Sequence, residues 1–217
     1  STARFPNIMA AMNRADLAFV VHVGDIGAPP FGSCLDETYY RRRDEFNQSR
    51  HPFIYTPGDH EWTDWHQAGI PDSLERLSKV REVFFQGERS LGQRTMPVTR
   101  QSNDPRYAQY RENARWTLGG VVFVTLHMPG SNNNLGRTPD MDIEYAGRNA
   151  ANIEWLRQAF QHAKQNNSRG VMILIQANPR FEFTWPARRR SSMIVAPAPN
   201  DKSGGGRGRV VEHFTRV

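Results

Sequence analysis

The hydrophobic residues of this chain fall into short unbroken runs separated by long polar stretches. Four of these runs are rich in Val, Ile and Phe, and each is followed by turn-forming residues, which is typical of β-strands. The predicted strands cover residues 17–23, 53–56, 120–126 and 170–175. Because the runs are continuous rather than alternating, we expect the strands to be covered on both faces.

Between the predicted strands, the apolar residues recur at helical spacing. The predicted helices cover residues 6–13, 36–47, 72–85 and 148–165. The third of them follows Pro71 and a capping residue, Asp72 or Ser73. The fourth carries one apolar stripe, formed by Ile153, Leu156, Ala159, Phe160 and Ala163. Strands that alternate with helices indicate the α/β fold class, with helices packed against a sheet.

Two long segments lack this periodicity. Residues 87–115 are polar, and we expect them to form a long excursion from the core, of the kind that often carries function. Residues 196–209 have the composition of a flexible segment, which precedes a last short strand predicted at residues 210–217. The length suits a single domain over residues 1–217.

Composition narrows the class of protein. With 38% hydrophobic and 23% charged residues, the chain resembles a globular domain and not a disordered chain. No apolar run approaches the roughly 18 residues of a membrane-spanning helix, so no membrane span is expected. The single cysteine, Cys34, cannot form an internal disulfide. We expect it to be buried and to act as a small apolar residue rather than as a nucleophile.

The chain is basic, with 28 Lys and Arg against 22 Asp and Glu and a net charge of +6. The excess is mostly arginine, concentrated at residues 41–43 and 188–190. Such clusters can bind phosphate or nucleic acid, but a solvated helix face or loop has the same composition, and both interpretations stay open. The charge favours anionic partners, and the sequence does not indicate an oligomeric state.

Polar side chains follow each predicted strand at its carboxyl end. They are Asp25, then Asp59, His60 and Glu61, then His127, and finally Gln176 and Asn178. Open α/β sheets bind ligands outside the carboxyl ends of their strands, so we expect these side chains to converge. A cation would allow two neighbouring aspartates to remain ionised, and this donor set suits a divalent Mn, Fe or Zn ion.

Some of these residues also have a purely structural interpretation. Asp25 follows a glycine at a strand end, where aspartate commonly serves as a turn or cap residue. His22 lies inside an apolar strand, which favours a core histidine or a residue that supports a ligand over a direct ligand. The consecutive residues 59–61 are more than a turn requires and favour function, whereas His127 is open to both interpretations.

These motifs resemble those of the calcineurin-like metallophosphoesterases. The sequence GDIG at residues 24–27 is similar to their G-D-x-x-D motif, and PGDHEW at residues 57–62 is similar to G-N-H-E. The longer stretches YTPGDHEWTD, RLSKVREVFF, ENARW, VVFVTLHMPGSNNN, RNAANIEWL and IQANPRFE resemble one bacterial branch of that superfamily. The resemblance implies a two-sheet β-sandwich flanked by helices. It also implies hydrolysis of phosphomonoesters or phosphodiesters by a metal-activated water. Relatives of this kind are often exported, and the sequence leaves the compartment of this protein open.

The resemblance also implies a role for each site residue. Asp25 would bridge two metal ions, and Asp59 would stand where the family has a metal-binding asparagine. His60 would be the catalytic residue that stabilises or protonates the leaving oxygen, and Glu61 would orient its loop. Asn178 would be a remaining metal ligand.

The chain departs from the family pattern at three places. The family's D-x-H motif does not occur before Asp25, which predicts an incomplete N-terminal strand and an exposed sheet edge. Ala177 stands where the family has a histidine, and no G-H-x-H motif occurs near the C-terminus. The expected protein is therefore either an impaired member, with fewer than two cations and an anionic ligand held by arginines, or a hydrolase with compensating ligands. Those ligands would be His22, His127 or Asp64.

Overall fold

Helices and strands alternate along the residues that the structure, a computed structural model, describes, namely 4–26, 36–64 and 72–179. We number the strands β1 Val20–His22, β2 Phe53–Tyr55, β3 Thr99–Arg100, β4 Ala114–Leu118, β5 Val121–Thr125 and β6 Gly170–Leu174. The helices are α1 Arg4–Arg14, α2 Asp36–Phe46, α3 Ser73–Phe84 and α4 Pro139–Gln165. The fold is mixed α/β with two open sheets, which agrees with the predicted class.

The first sheet pairs β1 with β2 in parallel, so that both strands end at the same edge. The loops after β1 and β2 are in close contact at the backbone of Gly24 and Gly58. A Cβ at Gly24 would lie 2.3 Å from the backbone nitrogen of Gly58, so only glycine permits this approach. In the described residues, β2 is the strand paired with β1.

The second sheet has the order β3-β4-β5-β6. Strands β4 and β5 are antiparallel and joined by Gly119 and Gly120, whose φ angles of +56° and +77° suit a tight hairpin. Strand β6 joins β5 in parallel after the long helix α4. The carboxyl ends of β5 and β6 therefore also lie at one edge.

Apolar packing around the two sheets fixes their positions. Aromatic side chains fill the core beside β1 and β2, where the rings of Phe46 and Phe53 stack with centroids 4.5 Å apart. Helix α4 packs through Trp155 and Ala159 against residues of β5 and β6, Val124 among them. These contacts hold the sheet edges that carry the polar loops.

The structure confirms the predicted strands and helices with changed bounds. Helix α3 begins after Asp72, whose carboxylate accepts from the backbone nitrogens of Leu74 and Glu75, as its capping role requires. Helix α4 begins earlier than predicted, at Pro139, where Thr138 provides the cap. The expectation of full burial holds for β2, whereas β1 and β6 are half-buried.

Two expectations were wrong. The polar segment 87–115 contains β3 and the start of β4, where buried Ala114 and Trp116 alternate with Arg115 and Thr117 in the pattern of a half-buried strand. On α4, Phe160 is 46% exposed instead of belonging to the buried stripe. The buried face includes two polar side chains and consists of Met141, Arg148, Ala151, Asn152, Trp155, Ala159 and Ala163.

Several predicted features lie outside the described residues. They are Cys34, the arginines at 188–190, the flexible segment 196–209 and the last strand at 210–217. No helix in the described part of the chain has the length and apolar character needed to cross a membrane.

Candidate metal centre

Asp25, Asp59 and His60 meet at the carboxyl ends of β1 and β2. Each side chain offers one ligand atom, and these three atoms lie within 4.8 Å of one another. Nδ1 of His60 is 3.8 Å from Oδ1 of Asp25. The parallel pairing of β1 and β2 produces this convergence, because both strands deliver their polar loops to one sheet edge.

Glycines make room for the two carboxylates. A Cβ at Gly58 would lie 2.3 Å from Oδ1 of Asp25, and one at Gly130 would lie 2.6 Å from Oδ2 of Asp59. Asp25 itself has the left-handed φ of 64°, which turns its carboxylate toward Asp59. The backbone thus forms a cradle around the carboxylate oxygens that any side chain on either glycine would fill. The space and the donor atoms both fit a divalent cation.

The cluster of Asp25, Asp59 and His60 has an excess of negative charge. Burial, followed by the nearby carboxylate of Asp59, raises the pKa of Asp25, and His60 and Gln176 only partly oppose these effects. Two carboxylates that repel each other gain from a bound cation, because it removes the repulsion and favours ionisation of both.

Gln176, the second residue after β6, reaches across to both aspartates. Its Nε2 lies 3.2 and 3.1 Å from the two carboxylate oxygens of Asp25 and 3.0 Å from Oδ1 of Asp59. Its Oε1 accepts a hydrogen bond from the backbone nitrogen of Gly130 at 2.5 Å. Asn178, the predicted ligand, is exposed two positions further along the chain. Gln176 thus links the segment after β6 to both aspartates.

Asp64 and Ser131 lie on the other side of Asp59. Oγ of Ser131 is 2.8 Å from Oδ2 of Asp59 and 2.6 Å from Oδ1 of Asp64. Burial of Asp64 opposes ionisation, but hydrogen bonds from Ser131 and Arg137 outweigh it and lower the pKa of Asp64. Oδ2 of Asp64 is 3.7 Å from Nε2 of His60, so this ionised carboxylate backs the imidazole.

Ser131 belongs to an unusual left-handed turn. It and the next three residues, Asn132, Asn133 and Asn134, all have positive φ angles between 50° and 69°. A left-handed residue other than glycine costs roughly 1–2 kcal/mol, and asparagine tolerates this region best. Oδ1 of Asn134 accepts from the buried hydroxyl of Thr63 at 2.7 Å, which fastens the turn to the loop after β2.

Glu61 lies beneath the two loops and is fully buried. Oε1 accepts from the backbone nitrogen of Ile26 at 3.0 Å and from the hydroxyl of Tyr55 at 2.9 Å, and Oε2 accepts from the nitrogen of Gly58 at 2.9 Å. Burial raises the pKa of Glu61 to about 8, although these hydrogen bonds oppose the shift. The carboxylate therefore connects the loop of Asp25 to that of Asp59 and has its oxygens occupied by these donors.

His22 is a core residue. Its ring lies among the rings of Phe46, Phe53 and Tyr55, with centroids 5.1 to 6.3 Å away, and its Nδ1 accepts from the nitrogen of Gly24 at 3.2 Å. Burial, with a smaller contribution from Arg42, lowers its pKa to about 4. Of the two interpretations offered by the sequence, the structure shows the core histidine.

His127 is also fully enclosed. Its Nε2 accepts from Nε1 of Trp62 at 3.1 Å, and its Nδ1 lies 2.9 Å from Oε1 of Glu112. Because the indole only donates and the carboxylate only accepts, the imidazole carries its hydrogen on Nδ1 and is neutral. Burial lowers its pKa to about 4, which fits this state. Both nitrogens are in use, so His127 does not serve as a compensating ligand.

A buried polar network around His127 was missed by sequence reasoning. Arg148 is fully buried and donates to the carbonyls of His127 and Asn133, to Oδ1 of Asn133 and to the carboxylate of Glu144. Asn152, one turn later on α4, donates to the same carbonyl of His127 at 2.9 Å. The sequence does contain one signal for this network. Arg148 and Asn152 are four residues apart, which places both polar side chains on the otherwise apolar face of α4.

The arginines at residues 41–43 do not form a free anion-binding patch. Arg42 donates to the carbonyl of Ile26 at 2.9 Å and pairs with Glu45 at 2.7 Å. Arg43 pairs with Asp44 at 2.8 Å and lies over the ring of Tyr40. Two of these three side chains are thus engaged within the protein.

Comparison with family models, with curated proteins and with solved structures gave no significant match. The function is therefore inferred from the site itself.

Proposed function

We propose that the protein binds a divalent cation through Asp25, Asp59 and His60 and hydrolyses phosphate esters with it. The observation that supports this proposal is the convergence of these three ligand atoms within 4.8 Å. In this proposal the two sheets correspond to the layers of a metallophosphoesterase sandwich, and the ligands lie at the sheet edge where such a fold binds its metal.

The donor set favours one cation over two. Two carboxylates and one imidazole are available at the cluster, whereas a binuclear centre needs about twice that number of protein donors. Mn, Fe and Zn ions all accept mixed oxygen and nitrogen donors of this kind. The affinity for the cation would come from electrostatics, because a bound cation relieves the repulsion between Asp25 and Asp59.

The surrounding residues have distinct tasks in this reaction. A bound divalent cation lowers the pKa of a coordinated water and offsets charge on the phosphoryl oxygens. His60, whose side chain is 37% exposed, would bind the cation through Nδ1, which lies 3.8 Å from Oδ1 of Asp25. Asp64, 3.7 Å from Nε2 of His60, favours the orientation in which that nitrogen carries a hydrogen.

The test measures cation binding and hydrolysis on the same protein. Titration calorimetry with Mn²⁺, followed by assays with p-nitrophenyl phosphate and bis-p-nitrophenyl phosphate, should give binding and turnover in the full chain. Asp25→Asn and Asp59→Asn should each lose both signals, because one carboxylate is removed with little change of shape. Asp44→Asn, an exposed carboxylate on α2, is the matched control and should lose neither.

A folded wild-type protein that binds neither Mn²⁺ nor Zn²⁺ would overturn the proposal. In that case a salt-dependent affinity for inorganic pyrophosphate or an oligonucleotide would point instead to a non-catalytic protein that binds anions.

A further inference from the structure

The side-chain amide of Gln176 lies where a cation between the two aspartates would make its contacts. Its Nε2 is within 3.2 Å of three carboxylate oxygens, from Asp25 and Asp59. An amide nitrogen has two hydrogens, so it can satisfy two of these oxygens well and the third only by sharing. It brings a dipole but no net charge to the pair.

The other end of the same amide is equally well placed. Oε1 accepts from the backbone nitrogen of Gly130, the glycine whose missing side chain leaves room for Asp59. Rotation of the amide by half a turn about its last bond would exchange the positions of Oε1 and Nε2. It would point an oxygen at the aspartates in place of a nitrogen, at the cost of the hydrogen bond from Gly130.

A cation bound to Asp25 and Asp59 reverses which orientation is favourable. The positive end of the amide, which is attracted to bare carboxylates, is repelled by a cation that uses the same oxygen lone pairs. The amide oxygen is instead a good ligand for hard cations, which prefer carboxylate and carbonyl donors.

We propose that Gln176 is a further metal ligand, which turns its amide so that Oε1 joins Asp25, Asp59 and His60 on the cation. This inference rests on the proposed function and deepens it. The resulting set has three oxygen donors and one nitrogen donor, a mixture that hard cations such as Mn²⁺ and Mg²⁺ accept. It replaces Asn178 as the ligand contributed by the chain after β6.

Calorimetric titration with Mn²⁺, without substrate, tests the ligand role. Gln176→Ala should bind Mn²⁺ about tenfold more weakly than the wild type, which is the loss typical of a residue that supports or ligates a metal. Gln176→Glu should bind more tightly, because it keeps an oxygen donor and adds a charge. Asn178→Ala is the matched control on the same segment and should leave the affinity unchanged.

A second measurement follows the wild-type protein as it binds a diamagnetic ion. In ¹H–¹⁵N spectra, saturation with Mg²⁺ should shift both the side-chain amide pair of Gln176 and the backbone amide of Gly130, because their hydrogen bond is broken. The side-chain pair is assigned by its absence from the Gln176→Glu spectrum.

The outcomes separate the two proposals. Mn²⁺ binding by the wild type together with equal or tighter binding by Gln176→Ala would overturn the ligand role, since the amide would then only compete with the cation. Unshifted Gln176 and Gly130 amides at Mg²⁺ saturation would do the same. Absence of any cation binding by the wild type would overturn the proposed function and this inference with it.

Discussion

The indole nitrogen of Trp62 donates a hydrogen bond to Nε2 of His127, at 3.1 Å and with both side chains fully buried. Trp62 is the second residue after His60, and the guanidinium of Arg148 lies over its ring at 5.4 Å. The loop that carries two of the candidate ligands is therefore held by side chains from α4 and from the segment after β5, rather than by its own sheet.

Acid should unfold the protein partly through His127. Its pKa is about 4 in the folded protein and about 6.5 when unfolded, so between these values the unfolded state binds more protons. The stabilising contribution is complete above about pH 6.5 and is lost as the pH falls toward 4. Urea denaturation across this window should show a steeper fall for the wild type than for His127→Gln, by up to about 1.4 kcal/mol per pH unit. Parallel curves for the two proteins would contradict the neutral buried imidazole.

Removal of the charge on Arg148 should be among the most damaging changes to the fold. In Arg148→Met, the carboxylate of Glu144 and the carbonyl of Asn133 lose the guanidinium as a donor, and the carbonyl of His127 keeps only the bond from Asn152. The loss of this buried ion pair costs about 3–5 kcal/mol of unfolding free energy. Arg157→Met on the same helix removes an arginine that is 64% exposed, and it should cost less than about 0.5 kcal/mol. Chemical denaturation of both variants measures the difference, and equal losses would argue against the buried network.

Gly58 should be essential for the position of Asp25. In Gly58→Ala the new Cβ meets Oδ1 of Asp25 at 2.3 Å and its backbone nitrogen at 2.9 Å, so the carboxylate must move. We expect Mn²⁺ affinity to fall at least tenfold, as for other changes that displace a ligand. Gly170→Ala, where a Cβ has no atom within 4 Å, is the control that should bind normally. Unchanged Mn²⁺ binding by Gly58→Ala would remove Asp25 from the ligand set.

Glu61 should connect stability to the cation site. In Glu61→Gln the amide replaces one acceptor oxygen by a donor, so either Gly58 or the pair of Ile26 and Tyr55 loses its partner. An unsatisfied buried group costs about 1–3 kcal/mol, and Mn²⁺ affinity should fall as well because the two loops are no longer connected. Glu82→Gln, at an exposed position on α3, should change neither quantity in the same melting and calorimetry experiments.

Local patterns in the sequence were sufficient for most of the elements that carry the site. Helix α3 and its cap Asp72 follow from periodicity and a capping residue, and the convergence of Asp25 with Asp59 follows from two strands that each end in a polar loop. Strand β4 lacks a continuous apolar run, and its local signal is instead the alternation of apolar and polar residues over 114–118 followed by the hairpin glycines 119 and 120.

The side chains that complete the site depend on distances that sequence spacing does not contain. The contacts of Gln176 with Asp25, Asp59 and Gly130 bridge segments that are far apart in the sequence, so spacing alone does not indicate them. Likewise, the burial of Arg148 depends on Glu144 one turn earlier on α4 and on acceptors of His127 and Asn133, which sequence spacing does not place beside the helix.

The contact between Gln176 and Asp25 joins residues 151 positions apart, and the chain between them contains the second sheet, α2, α3 and α4. Closing so long a loop has to wait until those elements are in place, so the cluster should be among the last parts of the molecule to form. Any ion held there would then report on completed folding. As the concentration of that ion increases, the midpoint of the whole thermal transition should rise, because the ion stabilises the folded molecule and not only its own loops.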